Sequence, residues 1–272
     1  MSRSPSVARI LVLLEKELRE LVTSRMLLAS VTLVPLVMGT VAVIIGWATG
    51  NVDTSAPQDP QDLAELRQIM GDRIAHITSL HDALQLYLGE MGLLVILLLP
   101  ALIPPILASQ TLVREKQSRS LETLLVTPVR TWEIVIAKVL FCAGLGVTPQ
   151  WVVSAIYFAV IHAQCSPVAL ASLLTPGWLL TILVASPLVA VLGVGLGVAV
   201  SSRAKDAQTA QQVSGMVVLP IVGLLVAQSL GLGALDGMGA LFFVGALALA
   251  DTVVLALAIS LFERETVVTR WK

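Results

Sequence analysis

Long apolar runs alternate with short polar segments along this chain. The first run, Met26 to Ala48, is long enough to cross a hydrocarbon core about 30 Å thick as a helix. Similar runs cover about Leu86 to Leu112, Trp132 to Ala163, Gly177 to Val200, Val213 to Leu230 and Ala240 to Phe262. In lipid a backbone must satisfy its own hydrogen bonds, so each run predicts a helix. The expectation is an all-α membrane protein with six transmembrane helices forming one domain over residues 1–272.

The segments between the runs carry their own periods. Over Val7 to Arg25, apolar Val7, Ile10, Leu11, Leu14, Leu18, Leu21 and Val22 recur at helical spacing, with Arg9, Glu15, Lys16, Arg19 and Glu20 mainly elsewhere on the wheel. This predicts an amphipathic helix lying flat at the membrane interface. The run after it is too long, and the segment before it too charged, for a signal peptide. Asn51 to Leu86 is the largest polar segment and is expected outside the membrane. Asp59-Pro60 suits a helix start, and Leu63, Leu66, Met70, Ile77, Leu80 and Leu84 suggest one amphipathic helix leading into the second span. Gln164 to Pro176 is read as a short loop, and Gly231 to Gly239 as a glycine-rich connection.

Three features inside the spans modify this picture. Pro100, Pro104 and Pro105 free backbone carbonyls in the second span, so that stretch is expected to face protein or a wet cavity. Gly193 and Gly197 form a small-xxx-small pair suited to close helix contact, not a nucleotide loop, since no strand precedes them. Asp251 lies near the middle of the sixth span, where an ionised carboxylate costs about 2.5–3.5 kcal/mol on insertion scales. It is a candidate translocation-pathway residue, together with Glu90, Pro104, Pro105 and Pro220; a satisfied structural Asp is the plain alternative.

Composition agrees with the pattern. The chain is 56% hydrophobic and 13% charged, with a mean hydropathy of +0.89. Soluble domains carry about 25% charged residues. The net charge of −1 argues against nucleic acid as a partner. Its distribution is more telling. With six spans, every one of the 17 Lys and Arg residues except Arg67 and Arg73 falls on the side of the termini. The positive-inside rule then puts both termini in the cytoplasm of a multi-pass protein of the cell membrane. Cys142 and Cys165 are 23 residues apart along one expected helix, roughly 35 Å at ~1.5 Å per residue, so no disulfide is expected between them. His76, His81 and His162 are scattered, and no Cys/His cluster has metal-site spacing.

The cytoplasmic loop Val113 to Thr131 holds the strongest functional signal. Arg119 to Val126 can form two helical turns with Leu121, Leu124 and Leu125 on one face, and Thr127-Pro128 ends them. A short cytoplasmic helix with an apolar face calls for a partner groove; a turn folded on its own spans is the plain alternative. The segment resembles the signature of the ABC-2 membrane family, the permeases of type-2 ABC exporters. That pattern falls here on Arg114, Glu115, Lys116, Leu121, Glu122, Leu124, Leu125, Thr127, Pro128 and, ten residues on, Lys138. Ser120 replaces the usual Thr, and Arg119 stands where many members have Gly. Glu15-Lys16-Glu17-Leu18 is similar to the family's elbow helix, and Phe262-Glu263-Arg264-Glu265 to its exit.

The resemblance implies a permease subunit, not itself an enzyme. The loop of residues 113–131 would carry a coupling helix docking on a separate cytoplasmic ATPase. Two ATPase copies and a second permease copy, as homodimer or heterodimer, would complete the transporter. This chain has no G-x-x-x-x-G-K-[ST] phosphate loop, so ATP and Mg would sit on the ATPase and this chain would bind no cofactor. The alternatives are a secondary transporter using Asp251 as an ion or proton relay, for which no inverted repeat is visible, and an intramembrane enzyme, for which paired catalytic groups are lacking.

Overall fold

In the computed structural model, residues 5–51, 60–70, 74, 77–117, 130–203, 212, 219, 222–223 and 238–261 are described. Among them every regular element is helical: α1 (Pro5–Thr23), α2 (Arg25–Thr49), α3 (Pro60–Met70), α4 (Leu80–Gln117), α5 (Thr131–Gln164), α6 (Pro167–Leu173), α7 (Pro176–Leu180), α8 (Ser186–Arg203) and α9 (Met238–Leu261). One wide π turn, Thr181–Ala185, joins α7 to α8. Five of the described helices are long and apolar enough to cross a membrane: Leu27–Thr49, Leu80–Leu112, Thr131–Gln164, Pro176–Ser201 and Gly239–Leu261. These are five of the six expected spans. The fifth, Val213 to Leu230, lies almost wholly outside the described residues.

Helix α4 is the axis of the bundle. It packs on α2, α5 and α8, and α9 packs on α8. Leu86, Leu93, Ile96, Leu99, Leu107 and Leu112 of α4 are all fully buried. Lipid is as apolar as leucine, so close approach of backbones rather than water exclusion selects these contacts. The α4 prolines show how. A Cβ placed on Gly146 of α5 would stand 2.5 Å from Cγ of Pro104. One on Gly193 of α8 would stand 3.0 Å from Cδ of Pro105, and one on Gly197 3.1 Å from the Pro105 carbonyl oxygen. The prolines therefore face protein, one of the two settings expected, and the Gly193/Gly197 pair seats the ring and backbone of Pro105.

Polar side chains bracket the bundle's far end. Gln85 donates to the Thr49 carbonyl at 3.1 Å and accepts from the Ser166 amide at 2.8 Å. The Ser166 hydroxyl donates to Asp82 at 2.6 Å. Tyr157 lies flat against Gly46 and Gly92, and its hydroxyl donates to the Gly89 carbonyl at 2.7 Å. The π turn leaves the Ile182 carbonyl available, and the Trp151 indole donates to it at 3.0 Å.

Two expectations need correction. The single amphipathic helix from Pro60 into the second span is two helices, with α3 ending at Met70 and α4 starting at Leu80. Gly71 follows Met70 directly, and glycine costs about 1 kcal/mol relative to alanine inside a helix. Met70, Ile74 and Ile77 are instead buried together over the bundle's end, and the Arg67 guanidinium donates to the Ile77 carbonyl. The expected loop Gln164 to Pro176 contains α6. Ser166 caps it by accepting from the Ala169 amide, and Pro167 occupies its first turn.

Candidate functional site

Helix α1 is amphipathic, as its period predicts, but its charged side is not all solvated. Val7, Leu11, Leu18 and Val22 are exposed and form an apolar outer face. Leu13, Glu17 and Leu21, spaced four residues apart, form a second stripe that is buried in the bundle. This places one carboxylate, Glu17, against α4 and α5.

The partner is Lys138 of α5, which is only 2% exposed. Its Nζ lies 2.8 Å from Glu17 Oε1, 3.2 Å from Glu115 Oε2 and 3.3 Å from Thr111 Oγ1. An ammonium has three donors, and three acceptors surround this one. On the other side of Glu115, Oε1 accepts from Lys16 Nζ at 2.5 Å. Lys16 also reaches Glu20 at 3.1 Å. The result is an alternating chain, Glu17–Lys138–Glu115–Lys16–Glu20, that joins α1, α4 and α5. A second tie runs from Arg9 of α1 to Glu133 of α5 at 3.2 Å, and Glu133 also accepts the Arg130 amide at 2.9 Å, capping α5.

The charges tune one another. Burial alone would raise the Glu115 carboxyl, but Lys138 and Lys16 more than offset it and hold it below its ordinary 4.5. Burial alone would lower the Lys16 ammonium, but Glu115 and Glu17 more than offset it and hold it above its ordinary 10.5. Both groups are therefore ionised near neutrality. Carboxylate oxygens of Glu17, Glu20 and Glu115 lie within 4.8 Å of one another, a spacing that could suit a cation. The Lys16 and Lys138 ammonium groups already hold those oxygens, so the cluster is an ion-pair network.

Its position matters more than its composition. Helix α4 ends at Gln117 and α5 begins at Thr131, and the segment expected to couple lies between them. Glu115 sits two residues before the end of α4, and Glu133 lies in the first turn of α5. Both roots of that segment are thus ion-paired to α1. Of the expected coupling residues, Arg114 is exposed, Glu115 is buried, and Lys116 lies in the last turn of α4. Arg119, Leu121, Glu122, Leu124, Leu125, Thr127 and Pro128 lie outside the described residues.

Among the expected pathway residues, Pro104 and Pro105 are buried against glycines, and Pro220 lies outside the described residues. Glu90 is 1% exposed. Asp251 is 5% exposed, and neither carboxyl oxygen has a hydrogen-bond partner among the described residues. The structure does not gather these residues into one site. The α4 residues flanking Glu90 belong to the apolar cluster at the α6 end, and the α9 residues flanking Asp251, Leu247, Ala250 and Val254, to a separate cluster with Ala185 and Val189.

Sequence reasoning placed Glu115 at the site but missed Thr111, Lys16 and Glu17 as its partners, and it met Lys138 only through the family pattern. The available signal was Glu17 itself, midway between Leu13 and Leu21 at four-residue spacing.

The sequence profile of a family described as ABC-2 family transporter protein matches residues 11–238. The chain belongs to this ABC-2 family. It is a membrane subunit, the permease of an ABC transporter, and its family implies an ATPase subunit as partner. The match begins within α1 and takes in the whole ion-pair network, so the cluster lies within the family's own fold. No curated protein matches the ABC-2 chain.

Proposed function

We propose that this permease has six spans with both termini in the cytoplasm and exports its substrate by ATP hydrolysis on a separate ATPase. Residues 113–131 form the coupling loop, with its short helix at Arg119 to Val126, and two ATPase copies with their ATP and Mg act on two copies of the permease. The supporting observation is the pair of ion-paired roots. A lever transmits force only if its base is rigid, and α1 ties Glu115 and Glu133 on either side of residues 118–129. That the sequence has no G-x-x-x-x-G-K-[ST] phosphate loop supports assigning the nucleotide chemistry to the partner.

The test is to purify the permease with its ATPase in lipid and to compare the wild type with Leu124→Ala and Glu122→Arg. Neither residue belongs to the network formed among the described residues. Loss of permease-stimulated ATPase activity is expected, with the complex's assembly or its coupling impaired. Unchanged stimulation in both variants, or no ATPase bound to the wild type, would overturn the reading.

A second reading, ion-driven transport through Asp251, has one observation in its favour: a membrane-buried carboxyl without a hydrogen-bond partner among the described residues. It predicts transport that persists without ATP and that Asp251→Asn abolishes.

A further inference from the structure

A groove with a volume of about 920 Å³ runs along the bundle between α1, α2 and α5. That is at the large end of ligand-sized cavities, roughly 300–1,000 Å³. Its lining is almost entirely apolar and includes Leu14, Leu18, Pro35, Gly39, Leu140 and Gly144. Two glycines create it. Gly39 lets α2 approach Val153 of α5, where a Cβ would stand 2.9 Å from the valine, while a Cβ on Gly144 would meet nothing within 4 Å. The groove opens sideways, since its lining residues Leu36, Ile44 and Leu140 are 65%, 58% and 54% exposed.

Three features decide what fills it. Water does not fill apolar cavities, so within a bilayer the occupant is a hydrocarbon chain or another helix. The lining along α2 runs from Val31 to Ile44, roughly 20 Å at ~1.5 Å per residue. This exceeds the ~15 Å depth of one leaflet, half of a ~30 Å core. Leu14 and Leu18 of α1 close one end of the groove, which would obstruct a second spanning helix but suits a chain that ends there. The charge at that end is also positive. Arg25 opens α2, is exposed, and makes no ion pair among the described residues. It stands five turns below Val43 and three turns below Leu36, both of which line the groove, so it shares their face of the helix.

We propose that this groove is a binding site for an anionic phospholipid of the leaflet on the α1 side. One acyl chain lies along Gly39 and Gly144, and the phosphate meets the Arg25 guanidinium. This goes beyond the coupling reading and is independent of it, because the readout is lipid retention.

The protein is purified in mild detergent with equal amounts of phosphatidylglycerol and phosphatidylcholine, and retained lipid is counted by native mass spectrometry. The wild type should keep one lipid per chain, favouring phosphatidylglycerol by about fivefold, the factor one basic residue gives at an anionic surface. Gly144→Phe, at a position where a Cβ meets nothing within 4 Å, puts a ring into the groove and should reduce retention by about tenfold or more. Arg25→Gln should still hold a lipid but lose the headgroup preference, and Arg25→Lys should restore much of it. Wild-type retention in Gly144→Phe, or an undiminished preference in Arg25→Gln, would overturn the proposal. So would a change of oligomeric state in Gly144→Phe with lipid retention unaltered, since that would make the groove the seat of a second copy.

Discussion

Replacing Lys138 with Met removes the cation nearest Glu17 and leaves Glu17 only Lys16, 4.0 Å away and bonded to Glu115. The side chain is 2% exposed, and its ammonium lies 2.8 Å and 3.2 Å from the two carboxylates. At an effective dielectric constant of about 20, each contact has a gross attraction of about 5–6 kcal/mol, most of it offset by the cost of removing the ions from water. The net worth of the intact cluster is thus small. Removing one partner is different, because it leaves charge buried without compensation, which typically costs 3–5 kcal/mol. Glu17 has little escape, since it too is buried and its Oε2 already lacks a hydrogen-bond partner among the described residues. Against a typical total stability of about 5–15 kcal/mol, such a loss is severe. The measurement is the midpoint of reversible unfolding by SDS titrated into detergent micelles. Lys138→Met should destabilise by about 3–5 kcal/mol. Adding Glu17→Gln removes one of the stranded charges, and the double variant should be more stable than Lys138→Met alone by about 1–3 kcal/mol. Equal stability of Lys138→Met and wild type, or simple additivity of the two changes, would refute the reasoning.

Three further outcomes are expected. Glu115 is held below 4.5, so its contribution to stability is full above that value and is lost as pH falls below it; Lys16 is held above 10.5, so its contribution is full below that value and is lost as pH rises beyond it. The network's part of the stability should therefore be flat between about pH 5 and 10, as read from SDS midpoints across buffers. Gly146→Ala should destabilise by about 1–3 kcal/mol because its Cβ would meet the rigid Pro104 ring at 2.5 Å, whereas Gly144→Ala, two residues away with open space around it, should be neutral or stabilising by up to ~1 kcal/mol in the same assay. Asp251→Asn keeps the shape and removes the charge, so ATP-driven transport into vesicles should survive it if coupling runs through the 113–131 loop; abolition with ATPase activity intact would favour an ion relay.

Hydropathy located the described spans to within a few residues of where their helices lie, α2, α5 and α9 among them. This is a consequence of the solvent. A backbone in hydrocarbon has no partner but itself, so an apolar run of about 20 residues has few choices besides a helix. Capping and breaking were less legible. Ser166-Pro167 opened α6 through a local signal too short to outweigh the apolar residues around it.

The ion-pair network shows the limit more sharply. Along the chain, Glu17 is one of six charges on an amphipathic helix, and only its four-residue spacing from Leu13 and Leu21 separates it from Glu15 or Glu20. In the fold Glu15 is exposed, with 59% of its side chain accessible, while Glu17 is buried on Lys138, 121 residues away. Spacing fixes only which residues share a face of a helix. Which face meets protein depends on where the other helices stand, and between membrane helices that follows from glycine and proline contacts such as Gly146 with Pro104. The amino-acid sequence alone determined that the chain is helical, where most of its spans lie and which loop resembles a coupling segment. Only the tertiary structure decided that the roots of that loop are bound to α1, because buried charges choose partners by distance in space and not by distance along the chain.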